Sequence, residues 1–71
     1  MVERDFKHIL AEYIKANELT QSKFAAKIGV KPSQVNEWLK GKANPSYDMI
    51  KRMSVACEVS AEYFLGIIDY F

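Results

Sequence analysis

The spacing of the apolar residues most constrains how this 71-residue chain can fold. Apolar side chains recur every three or four residues along almost the whole chain, which is the period of one helix face. No stretch alternates with a period of two, and the chain has no Asn-Gly or Asp-Gly hairpin pair. We therefore predict one all-α domain over residues 1–71, built from five helices with short connections.

Capping residues and the apolar pattern place the helix ends. The first helix is predicted over about residues 3–16, with Asn17 in the left-handed conformation that ends many helices. Ser46 is expected to cap the fourth helix, and the apolar face of that helix is predicted to run from Tyr47 to Cys57. On this interpretation Cys57 is a buried core thiol rather than a nucleophile.

Composition argues against several classes of protein. A single cysteine cannot form an internal disulfide, and the chain has neither an apolar signal segment nor an apolar run of membrane-spanning length, so we expect a cytoplasmic protein. A chain this short rarely builds a catalytic pocket, so no enzyme is predicted. His8 has no second ligand at a suitable spacing, so neither a metal nor another cofactor is predicted.

The charges are distributed unevenly although the net charge is only +1. Residues 20–52 carry seven Lys and Arg against two Asp and Glu, whereas residues 53–71 carry three carboxylates and no Lys or Arg. A basic middle segment suggests a surface that binds a polyanion such as nucleic acid. The alternative is that these lysines are ordinary solvated surface residues.

The pattern in residues 21–40 is more specific than the rest of the chain. It predicts two short helices that cross steeply because a three-residue turn separates them, and the small Ala25 lets the second helix approach. Gly29 can adopt the positive φ that this turn requires. Trp38 then points into the core, which leaves the outer face of residues 32–40 free to enter a groove of DNA.

At these positions the chain resembles the helix-turn-helix repressors of the xenobiotic-response-element family, which includes the Cro and cI types of phage and bacterial regulators. The resemblance covers about residues 6–66. It implies a lambda-repressor-like fold of five helices with the helix-turn-helix at helices 2 and 3. The matching residues are Leu19-Thr20-Gln21, Phe24-Ala25, Ile28-Gly29-Val30, Val35, Trp38-Leu39-x-Gly41-Lys42-x-x-Pro45, Ile50, Met53 and Val59-Ser60.

Two positions depart from the family pattern. Lys31 stands where the family usually has a Ser or Thr to cap the third helix, and a Lys cannot cap through an oxygen. Glu58 stands where the fourth helix usually stops at Gly or Asn, although Glu is a poor left-handed residue. Both departures are expected to lower local stability rather than to change function.

The resemblance also implies which residues contact double-stranded DNA. Side-chain amides can pair with adenine, a Glu carboxylate can accept from the cytosine amino group, and phosphate contacts position the protein without reading sequence. The alternative is that the polar residues of the third helix are merely solvated. The expected base-reading residues are Pro32, Ser33, Gln34, Asn36 and Glu37. The expected phosphate-binding residues are Gln21, Lys31, Lys40, Lys42 and Asn44.

The C-terminal segment carries more apolar surface than one short helix can bury, and an exposed apolar patch usually marks a partner surface. We expect a homodimer whose interface contains Tyr63, Ile67, Ile68, Tyr70 and Phe71. Two alternatives remain open. These residues could fold back over the first helix and complete the core, or the chain could be the N-terminal piece of a longer repressor.

The resulting functional prediction is a sequence-specific transcriptional regulator that binds a palindromic operator as a dimer and blocks or recruits polymerase. One rival is an antitoxin of a toxin–antitoxin pair with the same fold. A second rival is a protein-interaction module that has lost DNA binding, which the near-neutral net charge and the acidic Glu37 on the reading helix favour.

Overall fold

The computed structural model describes residues 5–66, and the regular structure in that range is entirely α-helical. This confirms the prediction of an all-α, five-helix fold. None of the helices in the described range is long and apolar enough to cross a membrane. The helices are α1 (Phe6–Ala16), α2 (Gln21–Ile28), α3 (Pro32–Leu39), α4 (Tyr47–Cys57) and α5 (Ala61–Leu65).

Three helices begin with a side-chain hydroxyl that accepts a hydrogen bond from the backbone N–H three residues further on. The acceptors are Thr20 for α2, Ser46 for α4 and Ser60 for α5, at 3.0, 3.2 and 3.3 Å. Each hydroxyl satisfies one of the donors that a helix N-terminus leaves unpaired. Lys31 precedes α3 without a side-chain cap, as the sequence predicts, and Pro32 occupies the first turn, where its missing N–H costs no hydrogen bond.

Both ends of α1 differ from the prediction. Asp5 is extended, with ψ 140°, so α1 begins at Phe6 rather than near residue 3. At the other end Asn17 has φ −100°, and Glu18 is the residue that takes the left-handed conformation, with φ 53°. The side-chain amide of Asn17 donates to the backbone oxygen of Tyr13 at 2.9 Å, and its backbone N–H donates to the same oxygen at 3.1 Å.

The core contains side chains from all five helices. Edge-to-face aromatic contacts connect the first helix to α2 and α5, since the ring of Tyr13 lies 6.0 Å from that of Phe24 and 5.5 Å from that of Phe64. Cys57 is buried, as predicted. The buried apolar residues are Ile9, Leu10, Tyr13, Phe24, Ala25, Ile28, Val35, Trp38, Ile50, Met53, Cys57, Tyr63 and Phe64.

Two tyrosines correct the sequence prediction. Tyr47 is 63% exposed rather than part of the buried stripe of α4. Tyr47 is the first residue of α4, and its ring faces Lys51, whose Nζ lies 5.8 Å from the ring centroid. Tyr63 has 0% exposure, and its ring centroid lies 5.4 Å from that of Phe64, so it is a core residue and not a dimer contact of the folded domain.

Candidate nucleic-acid interface

The turn between α2 and α3 fixes how the two helices meet. Gly29 has φ 78°, and the backbone N–H of Val30 donates to the oxygen of Ala25 at 2.9 Å. Ala25 is fully buried, so no larger side chain separates the two helices at this point. Arg52 of α4 covers the turn, because a Cβ added to Gly29 would lie 3.1 Å from its Nη2 atom. The predicted roles of Gly29 and Ala25 in the turn are confirmed.

One face of α3 is anchored in the core. Val35 is 0% exposed and Trp38 is 3% exposed, and the ring of Phe6 meets the indole edge-on with centroids 6.0 Å apart. Because these side chains hold the helix through one face, the opposite face is presented outward at a fixed orientation.

That outward face forms a crest. Pro32, Ser33 and Glu37 are exposed, and we call these three residues the crest of α3. Ser33 and Glu37 are four residues apart, so they lie on the same side of the helix, one turn from each other. Both residues line each of the two depressions that flank α3, so they form the ridge that separates these depressions.

The first flanking depression, of about 340 Å³, lies between α3 and the start of α4. Gln34, half-buried, lines it together with the exposed Lys31 and Asn44. The half-buried Met49 of α4 forms part of its apolar wall. Sequence reasoning missed Met49, because it lies one residue beside the buried stripe of α4 and no polar group or motif marks it.

The second flanking depression, of about 530 Å³, lies on the α2 side of the crest. Gln21, Asn36 and Lys42 line it. The side-chain Nδ2 of Asn36 donates to the Oε1 of Gln21 at 3.2 Å, so a predicted base-reading residue and a predicted phosphate-binding residue are held together. Each amide retains further donor and acceptor positions for a ligand.

The structure therefore brings nine of the ten predicted DNA-contact residues to the crest or its two flanks. Three of the predicted base-reading residues stand on the crest, and Gln34 and Asn36 lie on opposite flanks. Lys40 is exposed but lines neither depression, since it follows the last turn of α3. Lys31 and Lys42 place a cation on each side of the single crest carboxylate, Glu37.

The remaining predicted site residues belong to the proposed dimer interface. Tyr63 is buried, as described above, and Ile67, Ile68, Tyr70 and Phe71 lie outside the described residues. Within residues 5–66, no group of three or more His, Cys, Asp or Glu side chains is placed to hold a metal ion.

The family model for helix-turn-helix domains matches residues 10–64, a range that contains the whole α2–α3 unit and most of α1 and α5. The chain therefore belongs to the helix-turn-helix family, and within it to the xenobiotic-response-element type that the sequence motifs indicate. Proteins of this type are DNA-binding regulators, and this chain is one of them. No curated protein and no solved structure gives a significant match to it.

Proposed function

We propose that this protein is a transcriptional repressor that places α3 in the major groove of double-stranded DNA and binds a palindromic operator as a homodimer. The observation that carries the proposal is the crest of α3, which stands opposite the buried Trp38 and has a lysine on either flank. An α-helix fits the major groove, where the edges of all four base pairs differ.

The crest offers a defined chemistry to base edges. The Glu37 carboxylate can accept from a cytosine amino group, and the Ser33 hydroxyl can donate or accept. The pyrrolidine ring of Pro32 is apolar, so it suits contact with the methyl group of thymine. On the flanks, Gln34 and Asn36 carry the amides that pair with adenine.

The flanks offer a matching chemistry to the phosphates. Lys31 and Lys42 stand on opposite sides of α3, so they can reach the two strands that border the groove. Gln21 is the first residue of α2, where its side chain and the unpaired backbone N–H groups can hold a phosphate together. Asn44 extends the contact on the α4 side.

A salt titration tests the DNA-binding part of the proposal. Each phosphate contact contributes a slope of about −0.9 to log K against log salt, so Lys42→Ala should flatten the slope by about one unit and weaken binding to all duplexes alike. Lys15→Ala is the matched control, because Lys15 is exposed on α1 and lines none of the depressions. An affinity independent of salt would favour the interaction-module rival instead.

A selection of bound duplexes from a random pool tests the reading part. Glu37→Gln should change the preferred base at one position of each half-site, at a cost of about 1–3 kcal/mol for the original base. Glu62→Gln, at an exposed position on α5, should leave the selected sequence unchanged. Identical selected sequences for the wild type and Glu37→Gln would remove Glu37 from the reading set.

A further inference from the structure

A third depression, of about 590 Å³, lies between α2 and α4 and shares no lining residue with the two depressions beside α3. We call it the α2–α4 groove. Its rim carries three cations, Lys27, Lys51 and Arg52, against the single carboxylate of Asp48. This is a separate basic surface that the proposed contact with DNA does not use.

The cations of the α2–α4 groove are open to an added ligand. Lys27, Lys51 and Arg52 are all exposed. The Nζ of Lys51 lies over the ring of Tyr47, 5.8 Å from its centroid, so Lys27 and Arg52 are the cations that we assign to a ligand. The guanidinium of Arg52 rests over the turn, next to Gly29. A guanidinium presents paired N–H donors that match the two oxygens of a carboxylate.

The groove also has an apolar part. Val55 is 78% exposed, more than any other large hydrophobic side chain of residues 5–66. Ala26 and Ala56 line the groove beside it and leave room for a ligand side chain. A nucleic-acid backbone has no alkyl side chain to cover Val55, whereas an acidic peptide with an apolar side chain can satisfy both the cations and the apolar surface.

We propose that the α2–α4 groove binds an acidic segment of a partner protein, in which an apolar side chain stands next to carboxylates. The apolar side chain covers Val55 and the two alanines, and the carboxylates pair with Arg52 and Lys27. The groove lies apart from the crest of α3, so the partner can bind while the protein is on DNA. This inference does not depend on the proposed repressor function.

The experiment uses a fluorescein-labelled 12-residue peptide of Glu and Leu, with peptides of Glu alone and of Lys and Leu as controls. Fluorescence polarisation should show the Glu/Leu peptide binding the wild-type protein at least tenfold more tightly than either control. Arg52→Ala and Lys27→Ala should each weaken that binding severalfold, and Val55→Ser should do so without any change of charge. Lys15→Ala should have no effect.

Amide chemical shifts locate the binding and make the result decisive. The peptide should shift residues of α2 and α4 that border the groove, and a 12-base-pair duplex should shift residues of α3 instead. Lys42→Ala should weaken binding of the duplex and leave binding of the peptide unaffected. A failure of either proposal can therefore be recognised separately. The proposal is overturned if the Glu/Leu peptide does not bind, if its shifts fall on α3, if the duplex shifts the groove residues, or if Val55→Ser binds it as the wild type does.

Discussion

Trp38 and Glu37 are neighbours in the chain, but one is buried and the other is exposed, because successive residues of a helix are turned by about 100°. Trp38 is 3% exposed and touches the ring of Phe6, whereas Glu37 is on the exposed crest. The residues that hold the helix in place and the residues that we propose to contact DNA are therefore different residues. A substitution on one face should change stability, and a substitution on the other should change recognition.

Substituting Trp38 tests that division directly. Trp38→Ala should lower the free energy of unfolding by about 3–5 kcal/mol, since it removes a buried indole, and this approaches the whole stability expected of so small a core. Gln34→Ala should leave the melting temperature almost unchanged and relax base preference. Thermal unfolding followed by circular dichroism measures the stability of both variants, and selection of bound duplexes from a random pool measures base preference. A normally folded Trp38→Ala would contradict the assignment of the buried face.

Tyr13 and Cys57 make the stability depend on alkaline pH. Burial raises the pKa of the Tyr13 phenol well above its usual range, and the hydrogen bond to Cys57 raises it further. Burial likewise raises the pKa of the Cys57 thiol. Both groups therefore stay neutral in the folded protein at a pH where they ionise in the unfolded chain, so rising pH favours unfolding.

Urea unfolding between pH 7 and pH 11, chosen as roughly the range in which thiols and phenols ionise, should show this loss. The free energy of unfolding should begin to fall above about pH 9.0, the ordinary thiol value. In Cys57→Ala the fall should begin about one pH unit higher, where phenols ionise. The same onset in the variant and the wild type would mean that Cys57 does not contribute to the pH dependence.

At the scale of helices, the ends of α2 and α4 contrast. Each helix is followed by a residue in the left-handed conformation, Gly29 with φ 78° and Glu58 with φ 56°. Glycine adopts this conformation freely, whereas a residue with a Cβ loses about 1–2 kcal/mol in it. Glu58, which departs from the family pattern, therefore has a strained backbone conformation that the rest of the fold holds in place.

Removing the glycine at the end of α2 and introducing one at the end of α4 should change stability in opposite directions. Gly29→Ala should destabilise the domain by about 1–2 kcal/mol, and Glu58→Gly should stabilise it by about 1 kcal/mol because the relief of strain exceeds the added freedom of the unfolded chain. Glu18→Gly is a second trial of the same effect, since Glu18 has φ 53°. Urea denaturation measures all three, and a destabilised Glu58→Gly would show that its side chain makes a compensating contact.

Local chemistry made the helices predictable from the sequence. The caps at Thr20 and Ser46 depend only on a hydroxyl and on a backbone N–H three residues away, so the pattern alone places them. The burial of Tyr63 depends on an aromatic cluster with Tyr13, which is distant in the chain, and no local pattern reports such a contact. The hydrogen bond between Asn36 and Gln21 could not be predicted from the sequence either, because it joins side chains from two helices.

At the scale of the whole molecule, the dimensions bear on how two copies would share an operator. The described part of the chain measures 32 × 25 × 24 Å. Half-sites in successive major grooves on one face of DNA are about 34 Å apart. Two domains with their α3 helices at that spacing would stand side by side with little space between them, so a small contact surface is enough to couple them.

The C-terminal residues Ile67 and Ile68 supply the apolar surface that we propose for this contact. Replacing both with Asp should abolish cooperative binding to a full palindromic site and leave weak binding to a half-site. Analytical ultracentrifugation and a half-site titration measure the two effects. Unchanged dimerisation of the double variant would place the interface elsewhere, and a wild-type monomer bound to one half-site would contradict the dimer itself.

The crest of α3 also affects how such a regulator can diverge. Pro32, Ser33 and Glu37 are exposed and take no part in the core, so most substitutions there leave the fold intact. Gene duplication followed by a few changes at the crest could therefore produce a paralogue with a new operator and an unaltered scaffold. The same freedom suits directed evolution, in which a library randomised at these three positions should yield mostly folded proteins with altered DNA preferences.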